Sequence, residues 1–113
     1  MLMREKYGLL FNKIKSDNNK MRTSLVTQKV SGGNNSVLVF MYSIDEHECK
    51  SFIYDLNYCL NNKENIDDGF VSDGVEYMKI LYEYPNVNLD DILLIPMIDM
   101  KVLLEEWLAF LNT

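Results

Sequence analysis

The chain has 113 residues, 48% of them hydrophobic and 25% charged, with a formal net charge of −6. That length accommodates one domain, 1–113, without a second core, and that composition belongs to a folded protein rather than a disordered one. An acidic body repels nucleic acid and attracts basic partners at long range, so no nucleic-acid partner is expected. The charge is unevenly placed: residues 1–30 hold seven Lys/Arg against two acids, and residues 31–113 hold four against fifteen.

The opening "MLMREKYGLLFNKIK" has only a four-residue apolar run, too short for a signal peptide. Met3, Tyr7, Leu10 and Ile14 recur at helical spacing, which predicts a helix there, although Gly8 opposes it and "YGLLF" is also compatible with a strand. Turn formers then cluster at 16–20, 31–36, 61–69 and 84–91, where the chain should break. "SLVTQKV" (24–30) and "SVLVFMYSI" (36–44) are rich in β-branched and aromatic residues and predict a hairpin. The second is apolar on both alternating sets, as in a central strand covered on each side.

In "IDEHECKSFIYDLNYCLNN", Asp45 precedes Glu48 at capping-box spacing, and Phe52, Ile53, Leu56, Cys59 and Leu60 form one apolar stripe. This predicts an amphipathic helix closed by Asn61-Asn62. Cys49 and Cys59, ten residues apart on it, lie roughly 15 Å apart along the axis and cannot bridge. Two buried, reduced thiols fit a reducing, cytoplasmic compartment. "VEYMKILYEY" (75–84) alternates Met78, Ile80 and Tyr82 against Tyr77, Lys79 and Glu83, as a half-exposed strand does. "DILLIP" (91–96) reads as a more buried strand stopped by Pro96. "DMKVLLEEWLAFL" (99–111) reads as a helix capped by Asp99. Its apolar residues cover most of its circumference, so either the sheet buries them or they pair with a second copy, a possible homodimer through the C-terminal helix. The longest apolar run, 92–98, is too short to span a bilayer, and no membrane partner is expected. The expected fold is α+β, a small antiparallel or mixed sheet of about four strands with helices packed on it, in the order α-β-β-α-β-β-α.

The stretch "ENIDDGFVSDGVEY" (64–77) holds Glu64, Asp67, Asp68, Asp73 and Glu76 with no basic residue. It fails as a calcium loop: with Gly69 at the invariant glycine, Ile66 falls on a ligand position and Val75 where a glutamate belongs. A looser Mg²⁺ site of Asp67, Asp68 and Asp73 would have nothing nucleophilic nearby to serve. His47, Cys49 and Cys59 do not converge as zinc ligands, and His47 reads as an exposed residue of a helix first turn. There is no nucleophile elbow and no phosphate-gripping Gly-Lys-Ser/Thr. No catalytic residue, metal or cofactor is therefore assigned, and binding remains. Carboxylates interleaved with Tyr54, Tyr58, Tyr77, Tyr82 and Tyr84 have the parts of a protein interface, the charges steering a basic partner and the rings supplying anchor area. If the helix turns Tyr54, Asp55 and Tyr58 outward, they join the acidic loop that follows it.

The ending "DDILLIPMIDMKVLLEEWLAFL", with its apolar strand 92–95, Pro96 and the helix holding "LLEEW", resembles the immunity proteins of bacterial contact-dependent growth inhibition systems, over about the last quarter of the chain. The resemblance implies a role: binding and blocking one cognate toxin domain, often a nuclease. It transfers no binding residue. Nucleases bind phosphate and present positive charge, and an inhibitor entering such a cleft gains from carboxylates in the place of phosphates. The partner-binding candidates are Glu64, Asp67, Asp68, Asp73, Glu76, Tyr54, Asp55, Tyr58 and Tyr77. A small carboxylate-dependent metal hydrolase and a non-catalytic adaptor or assembly subunit are the alternatives.

Overall fold

The computed structural model describes residues 2–15, 22–29 and 33–113. The elements run α1 (Met3–Lys6), β1 (Leu9–Lys15), β2 (Arg22–Gln28), a 3₁₀ segment (Asn34–Ser43), α2 (Glu46–Asn62), a 3₁₀ turn (Asp73–Val75), β3 (Ile80–Glu83), β4 (Asn86–Leu89), β5 (Leu93–Pro96) and α3 (Met97–Leu111). The fold is α+β. Its strands form two antiparallel sheets, β1-β2 and β3-β4-β5. The turn expected at 16–20 and the start of that at 31–36 lie outside the described residues.

Several elements depart from expectation, among them the strand expected over 75–84, which is reduced to Ile80–Glu83 after the 3₁₀ turn at Asp73–Val75. The N-terminal helix is one turn long: Gly8 takes φ +69°, a left-handed dihedral that costs glycine little, and the chain leaves as β1. The partner of β2 is β1, from Leu9↔Gln28 to Lys15↔Arg22, and not the 36–44 segment. That segment is no strand. Leu38, Phe40, Met41 and Ile44 are buried, Ser36 and Tyr42 exposed, and the recurrence at Leu38, Met41 and Ile44 matches the three residues per turn of a 3₁₀ helix. A continuously apolar run shows no period of its own, so β-branched content pointed to the wrong state. The expected break at 84–91 contains β4, whose Val87 and Leu89 are fully buried and alternate with Asn86 and Asn88.

The aromatic-rich core joins these pieces. Trp107 of α3 is 1% exposed and meets Phe11 of β1 edge-on, ring centroids 5.0 Å apart, while Phe110 stacks on it at 5.8 Å and completes the triangle at 5.6 Å from Phe11. Most of the apolar surface of α3 is thus covered within the chain, by α1, α2, β1 and the three-stranded sheet. A second aromatic group centres on Phe52 of α2, stacked on Phe70 at 4.3 Å and touching Phe40 and Tyr82. Asp99 does not cap α3. Pro96 occupies the N-cap, and Asp99 sits buried in the first turn, where Tyr7 and Lys6 donate to its Oδ2 at 2.5 and 3.0 Å.

Among the described residues no helix is long and apolar enough to cross a membrane.

Candidate functional site

The acidic stretch begins where α2 ends. The expected capping box is present at the start of α2: Asp45 accepts from Glu48 N–H at 2.7 Å and Glu48 from Asp45 N–H at 3.3 Å. Cys49, Phe52, Leu56 and Cys59 bury the stripe, which turns Tyr54 outward, 67% exposed, with Tyr58 one turn on. The first turn carries His47, exposed. Lys63 closes the helix in the left-handed conformation.

Three anchors then hold the loop. The Ile66 N–H donates to Cys59 Sγ at 3.3 Å. Residues 68–70 lie along β3: Tyr82 N–H donates to Asp68 O, Phe70 N–H to Ile80 O, and Gly69 bridges Leu81. A Cβ on Gly69 would stand 2.1 Å from the Ile80 carbonyl oxygen, so only glycine lets the two backbones approach so closely. Further on, buried Ser72 donates to Glu48 and accepts from Gly74 N–H at 3.1 Å. Gly74 in turn passes so near the Ser43 carbonyl that a Cβ would lie 2.3 Å from its oxygen.

Around these anchors Glu64, Asp67, Asp68, Asp73 and Glu76 are all exposed. The ion pairs among the described residues are Arg4–Glu106, Lys6–Asp99 and Lys50–Glu46, and none involves the loop. Among the described residues, three cations of the opening segment are directed at the far end of the chain instead. Arg4 and Lys6 reach α3, and Lys13 Nζ lies 5.1 Å from the Phe110 ring and donates to Thr113. Among the described residues no three of His, Cys, Asp and Glu are gathered closely enough to hold a metal ion.

The structure brings the candidates together in two groups. Near the end of α2, the Tyr58 hydroxyl lies 3.4 Å from Glu64 Oε1, and Asp55 accepts from the Tyr82 hydroxyl at 2.7 Å. Tyr82, expected on the surface with the other tyrosines, is buried. Its burial, then its bond to Asp55, hold the phenol well above its usual range. Asp55 is therefore half-engaged inside the fold rather than wholly free. The second group, Asp73, Glu76 and Tyr77, follows Ser72 beside the 3₁₀ segment, with Tyr77 66% exposed and sharing a groove with Tyr42 and Ile92. A hollow of about 360 Å³, lined by Asp68, Val71, Glu76, Leu81 and the basic Lys79 among others, lies along residues 68–81.

A further surface escaped sequence reasoning. Along β5 and into α3, Ile92, Leu94, Pro96 and Ile98 are exposed at alternate positions, while Ile95 and Met97 are buried. The signal was the period of two within "ILLIPMI", hidden because both alternating sets are apolar.

Comparison with protein-family models, with curated proteins and with solved structures finds no match to this chain.

Proposed function

We propose that this protein is a non-catalytic inhibitor that binds and neutralises a basic toxin domain, a nuclease, in the manner of the immunity proteins its C-terminal quarter resembles. One observation carries the reading: the five carboxylates of 64–76 are exposed and outside every ion pair among the described residues, on a backbone pinned at Cys59, β3 and Glu48. Carboxylates without an ion-pair partner among the described residues are available to an external cation, and pinning the backbone lowers the ordering cost of binding. Tyr54, Tyr58 and Tyr77 supply rigid contact area at the margins of the loop. The partner is a cognate toxin domain, the inhibitor acting in the cytoplasm without a cofactor.

The test is binding to the C-terminal domain encoded by the adjacent upstream gene, by calorimetry at several salt concentrations. Affinity for the wild-type chain should fall as salt rises, because exposed charges are screened beyond about 8–10 Å at physiological ionic strength. Changing Asp67, Asp68 and Asp73 together to Asn should weaken binding by about 10–100-fold and flatten the salt dependence. Unchanged affinity and slope would remove the loop from the interface. Absence of any binding would remove the role.

A further inference from the structure

The sheet β3-β4-β5 has one face on the core and one outside. The register places Leu81 of β3, Asn88 of β4 and Leu94 of β5 level with one another on the outer face, and Gly69 extends the row beyond β3. Leu94 is 54% exposed. Along the edge strand β5 the outward positions Ile92, Leu94 and Pro96, continued by Ile98, carry no charge. Soluble proteins ordinarily blunt an edge strand with lysine or another inward or outward charge, so a fully apolar outward row marks a surface that something covers.

The surrounding charge says what kind of partner covers it. Asn88 Nδ2 donates to Glu83 Oε2 at 2.8 Å and to Asp91 Oδ1 at 2.9 Å, which holds two carboxylates beside the row. Neither is in an ion pair among the described residues. Residues 79–98 carry Lys79 alone against Glu83, Asp90 and Asp91. A second copy docked through this face would set the same carboxylates against each other across a two-fold axis. An anionic lipid surface would be repelled likewise. A protein with an apolar patch ringed by lysine and arginine meets both requirements.

We infer that the apolar row Ile92, Leu94, Pro96 and Ile98, at the β5 side of an outer face that also carries Leu81, Glu83, Asn86 and Asn88, is the apolar core of the interface with a basic protein partner, and that the carboxylates of 64–76 form its polar rim. The inference rests on the inhibitor reading above and locates its contact surface. Residues 68–70 are hydrogen-bonded to the β3 edge of this sheet, so the Asp68 part of the rim is carried by the same sheet as the core, with the polar group beside the apolar one as in other interfaces.

The same upstream-encoded domain is the probe, titrated against wild type, Leu94→Arg, Ile98→Arg and, as an exposed control on β1, Leu10→Arg. Leu94→Arg and Ile98→Arg should each weaken binding by about 30-fold or more, the loss typical of a central anchor, with Leu10→Arg unchanged. Thermal unfolding checks that each variant is folded, and Leu94→Ser serves in place of an unfolded Leu94→Arg. If Leu94 and Ile98 variants bind as wild type while the triple Asn variant is weakened, the inhibitor reading stands and this face is not its contact. If the wild-type chain does not bind, both fall together. If the free protein sediments as a dimer that Leu94→Arg dissociates, the face belongs to a second copy and the inference is overturned.

Discussion

The Tyr7 hydroxyl donates to Asp99 Oδ2 across 2.5 Å, joining residues 92 positions apart in sequence. Lys6 Nζ donates to the same oxygen at 3.0 Å. Burial acts to raise the Asp99 pKa, but the two hydrogen bonds and the Lys6 charge outweigh it and hold the carboxyl below its ordinary value. Tyr7→Phe should cost about 1.5–3 kcal/mol, the range for a hydrogen bond to a charged group, measured by urea unfolding at neutral pH.

Asp99 also sets a pH dependence. Its folded pKa lies below the unfolded value of about 3.9, so its contribution is fully present above that value and is lost as pH falls through the folded pKa. Stability curves for wild type and Asp99→Asn should converge toward acid, the variant losing less as pH drops. Parallel curves would show that Asp99 titrates alike in both states.

Glu106 caps α1 from α3. Its carboxylate accepts from the Met3 N–H at 2.7 Å and the Arg4 N–H at 3.1 Å, and lies 3.3 Å from Arg4 Nε. Leu2, the residue at the N-cap position, offers no side-chain cap. Glu106→Ala should cost about 1–2 kcal/mol, as loss of a helix cap does, and should speed amide exchange selectively at residues 3–7.

Two glycines serve for different reasons, and substitution separates them. Gly69 is needed for space, so Gly69→Ala should break the pairing of 68–70 with β3, expose the Phe70 and Tyr82 amides to exchange, and cost about 1–3 kcal/mol. Gly8 has open space at its Cβ position but a positive φ. Gly8→Asn should therefore be tolerated better than Gly8→Val, since asparagine enters the left-handed region more readily than a β-branched residue.

Both thiols are free and buried. Burial, and after it the Glu46 charge, push the Cys49 pKa up to about 12, while burial raises that of Cys59. Cys49 Sγ donates to Leu104 O at 3.3 Å, which ties α2 to α3. Neither should react with a disulfide reagent in the native protein at about pH 8, because the thiolate is the reactive form. Both should react once denaturant unfolds the chain.

What the sequence by itself determined is whatever local chemistry decides. The Asp45–Glu48 box and the stripe from Phe52 to Leu60 define α2 because cap and face are properties of neighbouring residues. The alternation expected over 75–84 survives only across β3, with Ile80 and Tyr82 buried and Leu81 and Glu83 exposed, and the acidity of 64–76 is composition alone. The tertiary structure decided the rest where local signals were degenerate. Residues 36–44 are apolar at nearly every position, so only packing against β2, β5 and the 73–75 turn selects a period of three over two. The same degeneracy in 92–98 concealed which set faces outward until pairing with β4 oriented the strand. The partners of Asp99 and Glu106 come from the other end of the chain, and no local pattern encodes a contact that distant.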